Sequence, residues 1–261
     1  MKAAVLTIIL FSCLIYDSSS ESASKIINGK LAEEGRFPHM VQLSIKKREG
    51  TKYCGGSLIS SQWVLTAAHC IKGMRSAKAY MGSVFWRTMT LKLKIIDGSI
   101  HPNYKNINAD DIGLVKLEKP VEFNSRIQPI ELPARHQLPT ETFINSTLFV
   151  PGFGDTKNGS QSNLYLRYVE MYGVSNEDCS NEWGWRMRET FVCAQGLNSF
   201  NHTTCNGDSG NGLITKIDDV TIVFGIVSYG APGCVGKAKV FTRVASYLDY
   251  IHSVTGIEIK N

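Results

Sequence analysis

No stretch of this 261-residue chain is apolar for long enough to span a bilayer, since a membrane helix needs about 20 predominantly apolar residues. The chain also lacks blocks of like charge: 28 Lys and Arg against 23 Asp and Glu leave a net +5 that is spread along its length. Neither a membrane nor a nucleic-acid partner is implied by such a balance. Cys-x-x-Cys spacing is absent, which argues against a zinc or dithiol redox site. Residues 71–96 contain no Asp or Glu, and a hard cation such as calcium needs several oxygen ligands. No metal and no cofactor is expected. Internal repeats are missing too, and helical periodicity is scarce.

What is present begins with Met1-Lys2, an apolar run from Ala3 to Tyr16, and the small residues Ser18-Ser19-Ser20. That order reads as a removable secretory signal over residues 1–20, so the mature protein is expected outside the cell. Of the seven cysteines, Cys13 falls in the signal. Cys54, Cys70, Cys179, Cys193, Cys205 and Cys234 remain, an even number that suits disulfides in an oxidising compartment. Sequence alone leaves their pairing open. Asn145, Asn158 and Asn201 stand in glycosylation sequons, short motifs that fit a secreted surface.

From residue 37 onward, short apolar or alternating runs are broken by Gly, Asn, Ser and Pro: Val41–Ile45, Leu58–Ile59, Trp63–Thr66, Leu91–Ile96, Ile112–Leu117, Leu164–Tyr172, Leu213–Ile217, Thr221–Ser228 and Val240–Val244. Many short strands predict an all-β sandwich or barrel. Leu91-Lys92-Leu93-Lys94-Ile95 alternates as a strand with one wet face must, whereas Thr221–Val227 is apolar enough to be buried on both faces. Ser175-Asn176-Glu177-Asp178 predicts a capped helix start. Val244, Leu248, Ile251 and Val254 predict a C-terminal helix closed by Gly256. The polar, proline-containing segment Pro129–Thr142 is the best linker between two halves of similar length.

Ser209 lies in Gly207-Asp208-Ser209-Gly210, where small neighbours leave its hydroxyl accessible and allow main-chain N–H groups to approach a reacting carbonyl oxygen. A hydroxyl is a weak nucleophile until a base takes its proton, and that base needs an acceptor to fix its tautomer. His69, between Thr66-Ala67-Ala68 and Cys70, and Asp111, at the head of Ile112–Leu117, are the candidates. Singly, each has an ordinary structural explanation. Together the ordered pieces Ile26-Ile27-Asn28-Gly29, Cys54-Gly55-Gly56-Ser57-Leu58-Ile59, Thr66-Ala67-Ala68-His69-Cys70, Asp111-Ile112-Gly113-Leu114, Gly207-Asp208-Ser209-Gly210 and Ser228-Tyr229-Gly230 are highly specific.

On these motifs the chain, from Ile26 to Gly256, resembles the trypsin/chymotrypsin family of secreted serine endopeptidases, and within it the arthropod chymotrypsin-like, brachyurin-type (collagenolytic) members. The chain order His, Asp, Ser is that of the chymotrypsin barrels. The resemblance implies two six-stranded antiparallel barrels with a C-terminal α-helix, residues 26–132 forming the first and carrying His69 and Asp111, residues 133–261 the second and carrying Ser209; Asp111 is chosen over Asp110 because it is the acid immediately before the apolar strand, where the family's Asp stands. It also implies the pairings Cys54–Cys70, Cys179–Cys193 and Cys205–Cys234. The amides of Gly207 and Ser209 are expected to form an oxyanion hole, and Ser228-Tyr229-Gly230 to line the substrate strand. Protein or peptide substrates and a monomeric enzyme follow, with protein protease inhibitors as further candidate partners.

Glu21-Ser22-Ala23-Ser24-Lys25 reads as a short propeptide, so cutting after Lys25 frees the Ile26 amino group. By the family's pattern that ammonium pairs with Asp208 and orders the Asn206-Gly207 turn. In the family the floor of the pocket for the residue before the cut lies six residues before the nucleophile, here Thr203, which is neutral and therefore unsuited to Lys or Arg. An apolar, chymotrypsin-like preference is the first expectation. Aligning Val240-Phe241 with the family's apolar pair places Lys239 at the pocket wall. Pointing inward, its ammonium favours an acidic side chain; since burying an unpaired ammonium costs several kcal/mol, an outward, snorkelling lysine is expected. In either case Lys at the cut site is disfavoured, so a trypsin-like activator is expected rather than self-activation.

Asn211-Gly212 stands where the family usually has Gly-Pro, and Asn tolerates a positive φ better than other residues with a Cβ. Asn211 and Lys239 motivate a rival reading, a catalytically weak homologue acting as a binding or regulatory protein. A lipase or esterase of another fold is disfavoured because Gly-x-Ser-x-Gly fails at Asn211.

Overall fold

The computed structural model describes residues 26–27, 29–135, 143–144, 146–155, 164–197, 202–217 and 219–261. The signal, Lys25 and the three sequon asparagines lie outside these. In chain order the first elements are β1 (Lys30–Leu31), β2 (Met40–Lys47), β3 (Gly50–Leu58), β4 (Trp63–Thr66), the single turn α1 (Ala68–Ile71), β5 (Ser76–Met81), β6 (Leu91–Ile100) and β7 (Gly113–Leu117). There follow β8 (Thr147–Gly152), β9 (Arg167–Val174), α2 (Asn176–Trp183), β10 (Phe191–Gly196), β11 (Gly212–Ile217), β12 (Val220–Tyr229), β13 (Lys239–Arg243) and, after a 3-10 turn, α3 (Leu248–Thr255).

Strands β2-β3-β4-β7-β6-β5 close into one antiparallel barrel. Strands β9-β10-β13-β12-β11-β8 close into a second through the β8–β9 pairing, and β1 is added along β9. Closure removes the exposed edges that so many short strands would otherwise present. Alternation decides which side chains fill each barrel: Leu93 is buried between exposed Lys92 and Lys94 on β6, while β12 is buried almost throughout because it has protein on both faces. Leu43, Ile45, Leu65 and Leu114 fill the first barrel; Leu148, Val150, Phe224 and Phe241 fill the second.

Each terminal segment packs on the other half. Ile26 is fully buried in the second barrel's core, and Val244, Tyr247 and Ile251 join the core cluster of the first. This exchange ties the barrels together and fixes the cleft between them. The helix signals act as the sequence indicates. The Ser175 side chain caps α2 by accepting from the Asp178 N–H, and Gly256 ends α3 in the left-handed conformation. Disulfides join Cys54 to Cys70, Cys179 to Cys193 and Cys205 to Cys234.

Candidate active site

His69 sits on α1, the turn that leaves β4. Cys70 anchors that turn to β3 through Cys54, and Thr66 secures its base by donating to the Gly55 carbonyl at 2.7 Å. Since the disulfide consumes both sulfurs, the neighbouring trio Cys54, His69 and Cys70 offers no thiolate to a metal.

Asp111 enters from the loop before β7 and is fully buried. Asp110 just before it takes a positive φ of 53°, which sends the two carboxylates in different directions. Asp111 Oδ2 accepts from His69 Nδ1 at 2.7 Å and from the Ser228 hydroxyl at 2.6 Å; Oδ1 accepts from the His69 N–H at 2.9 Å. Its main-chain carbonyl accepts from Thr242 Oγ1 at 2.9 Å. A buried carboxylate is costly unless its lone pairs are met, and here donors from both barrels meet them. Asp110 instead accepts from the Tyr247 hydroxyl at 3.0 Å. With Nδ1 committed to Asp111, the Nε2 edge of His69 is left for a proton on the cleft side.

Ser209 is brought to this edge from the second barrel. Its carbonyl accepts from the Gly55 N–H at 2.8 Å and lies 3.6 Å from Cys70 Sγ, the same sulfur that stands 3.7 Å from His69 Nε2. Among the described residues its hydroxyl has no hydrogen-bond partner; nucleophile-to-base bonds of this kind commonly tighten only with substrate in place. The turn around it needs positive φ at Gly207 and Gly210, 91° and 84°, with Gly210 so close to the Gly55 carbonyl that no Cβ would fit. Asn211 therefore takes no left-handed conformation; Gly210 does so for it. Among the described residues the amides of Asp208 and Asn211 donate within this turn and that of Gly210 donates to the Val227 carbonyl on β12, whereas those of Gly207 and Ser209 donate to nothing. Two N–H groups beside the hydroxyl are thus free for an oxygen that gains charge.

Asp208 is also fully buried and accepts from the Gly154 N–H at 2.9 Å and the Cys205 N–H at 3.0 Å. Burial nevertheless pushes its carboxyl up to about 7, with those two bonds and the nearby Lys239 pulling the other way. Ile26, at the other end of the chain, has its side chain buried but holds a φ of 48°, a strained conformation for a β-branched residue. The Asn211 carboxamide is wedged against the bare backbones of Gly55 and Gly152, and both its polar atoms lack a partner among the described residues.

Beside Ser209 lies a cavity of about 140 Å³ whose walls include Thr204, Ser228, Tyr229, Gly230 and Lys239. Thr203, expected as the floor, is not among the residues that line it; it is buried and bridged to Ile27. The outward lysine expected from the sequence is not what the structure has. Lys239 is 4% exposed and lines the cavity, its stem laid across Gly230, where any Cβ would collide with it. The missing side chain at residue 230 provides the space that makes this burial feasible. Ser228 as a donor to Asp111, Thr242 beneath it, and the packing of Asn211 were not legible in the sequence, because each depends on which strands become neighbours.

The sequence matches the trypsin family over residues 26–251. The chain belongs to that family. Among similar members, a tryptase from Mus musculus is 31% identical over 97% of both chains. Serine protease 1 from Drosophila melanogaster is 33% identical over 89% of this chain and 86% of its own. The solved structure of HL collagenase superposes with a TM-score of 0.81 at 32% identity, covering 90% of this chain and all of that one. As a trypsin-family member the protein is a serine endopeptidase acting on protein substrates, and its two closed barrels are that family's fold. No helix among the described residues is long and apolar enough to cross a membrane.

Proposed function

We propose that this endopeptidase is a secreted, monomeric zymogen whose Ser209 attacks the substrate carbonyl while His69, oriented by Asp111, takes and returns the proton. The carboxylate geometry carries this reading: one buried Asp111 holds both the ring and the main chain of His69. Ser209 forms an acyl-enzyme with expulsion of the amine, which leaves with the proton held on His69 Nε2; water then releases the acid by the reverse proton path. The free amides of Gly207 and Ser209 stabilise the oxyanion in both steps. Division of the mature chain into 26–132 and 133–261 assigns His69 and Asp111 to one half and Ser209 to the other.

Maturation occurs by cleavage after Lys25 by a trypsin-like protease. The released Ile26 ammonium supplies Asp208 with the counter-charge that its burial demands, which stabilises the Gly207 turn. The pocket is unlike that of a trypsin: it offers no carboxylate for Lys or Arg and contains the Lys239 ammonium instead. Its specificity is accordingly not trypsin-like: basic residues are excluded before the cut, which also precludes self-activation. The structural match to HL collagenase makes collagen a substrate to try.

The rival reading, a weak homologue that binds rather than cuts, draws on the unpartnered Asn211 behind the nucleophile. Treatment of the purified precursor with trypsin decides between them. The account predicts a new N-terminus at Ile26, peptide hydrolysis that appears with it, and loss of hydrolysis by about 1,000-fold or more in Ser209→Ala. Hydrolysis unchanged by Ser209→Ala, or absent after complete cleavage, would contradict it.

A further inference from the structure

We infer that the enzyme selects acidic peptide segments, cutting after Asp or Glu through Lys239 and favouring a second acid upstream through Arg186 and Arg188. This rests on the endopeptidase reading above and names its substrate class.

Three observations combine. The first is the unneutralised ammonium of Lys239 in the cavity beside Ser209. It forms no ion pair among the described residues, and no carboxylate lines that cavity. Asp208 is the acid whose field reaches it, but that carboxylate is buried on the Gly154 and Cys205 amides and lies outside the cavity wall. Burial lowers Lys239 to about 8, which leaves it mainly protonated at neutral pH. A desolvated charge of this kind is satisfied by a substrate carboxylate and repels a substrate ammonium.

The second observation is the wider groove that continues from the same wall. A space of about 600 Å³ shares Tyr229 and Gly230 with the small cavity and is flanked by Trp183, Trp185, Arg186 and Arg188. Trp185 stacks on Tyr229 at 6.1 Å with 21° between the rings, forming an apolar floor. Neither arginine is engaged in an ion pair among the described residues, so both guanidinium forks are available to a carboxylate. The third is the sign of the rim. Lys237 lies 5.0 Å over the Trp183 ring; of the acids on this edge, Glu182 is already bonded to the Ala238 N–H at 2.9 Å and the field of exposed Glu189 acts on Arg243. The path from Ser209 outward is therefore cationic at two separated points joined by aromatic surface.

The test is a peptide library varied at the residue before the cut and at the three positions upstream, read as kcat/KM on trypsin-matured enzyme. Asp and Glu before the cut should exceed Leu and Phe by about 30-fold or more. Lys239→Gly and the longer-stemmed Lys239→Met should both erase that advantage. Arg186→Ala with Arg188→Ala should lower the gain from an upstream acid severalfold and leave the ranking before the cut intact. Titration of active sites with an organophosphonate bearing an acidic side chain runs in parallel. Faster hydrolysis of apolar peptides in the wild type, or an acid preference that survives both Lys239 variants, overturns the inference while leaving the endopeptidase reading standing. No titratable site in the matured protein would overturn both.

Discussion

Ser228 Oγ donates to Asp111 Oδ2 at 2.6 Å, the oxygen that also accepts from His69 Nδ1 at 2.7 Å. Because Ser228 lies on β12 and His69 on α1, this one oxygen ties the second barrel to the His69 turn of the first. Removing the Ser228 donor leaves a buried carboxylate short of a partner. Ser228→Ala should lower kcat by roughly 10- to 100-fold, and Asp111→Asn by about 10,000-fold because the ring then takes the wrong tautomer. Steady-state kinetics on matured enzyme checks both; wild-type rates in either variant would contradict the role given to this oxygen.

Asp208 makes the precursor sensitive to pH. Its folded value of about 7 lies above the ordinary 3.8, so between those values the folded precursor binds more protons than the unfolded chain. Stability must then fall as pH rises from about 4 to about 7, by of order 4 kcal/mol at most, with Asp155 adding to the effect and Lys239 opposing it. Urea denaturation of the uncut precursor should show this slope, and Asp208→Asn should flatten it. After cleavage the Ile26 ammonium should remove it; an identical slope in precursor and matured forms would contradict the pairing.

His39 acts with the opposite sign. It is buried, its Nε2 has no partner among the described residues, and burial lowers it from 6.5 to about 4. The folded state holds it neutral, so its contribution is fully present above pH 6.5 and is lost as pH falls towards 4, by about 3 kcal/mol. His39→Leu should remove that acid-side loss in matured protein; persistence of the full loss would assign it to other groups.

The proposed contact of Lys239 with the substrate side chain should give specificity its own pH dependence. With the ammonium lowered to about 8, the ratio of kcat/KM for acidic over apolar peptides should decline as pH passes that value. The charges that bear on it are Asp208 within the fold and the substrate carboxylate. A ratio constant from pH 7 to 10 would show that Lys239 does not meet the substrate side chain.

The residues proposed for the site stand in short motifs along the chain, which is why sequence could nominate them. Asp111 was nominated over Asp110 by its place before the apolar run, where the family's Asp stands; in the structure Asp111 bonds His69 and Asp110 bonds Tyr247. Other strands were hidden. β5 is Ser-Ala-Lys-Ala-Tyr-Met and most of β3 is Gly-Thr-Lys-Tyr-Cys-Gly-Gly, compositions with little β-branched signal that are strands because neighbours pair with them. Lys239 was misjudged for a related reason. The cost of burying an ammonium is a general rule, while the space beside Gly230 that permits it comes from β13 meeting the segment after β12, a tertiary fact.

The most direct measurement of the central claim is the mass of the protein after exposure to an organophosphonate, before and after cutting at Lys25. The account predicts one adduct per molecule, mapped to the peptide containing Ser209, formed rapidly only in the cleaved form and absent in Ser209→Ala and His69→Ala. An adduct at another residue, or none on Ser209 once Ile26 is the N-terminus, would contradict it.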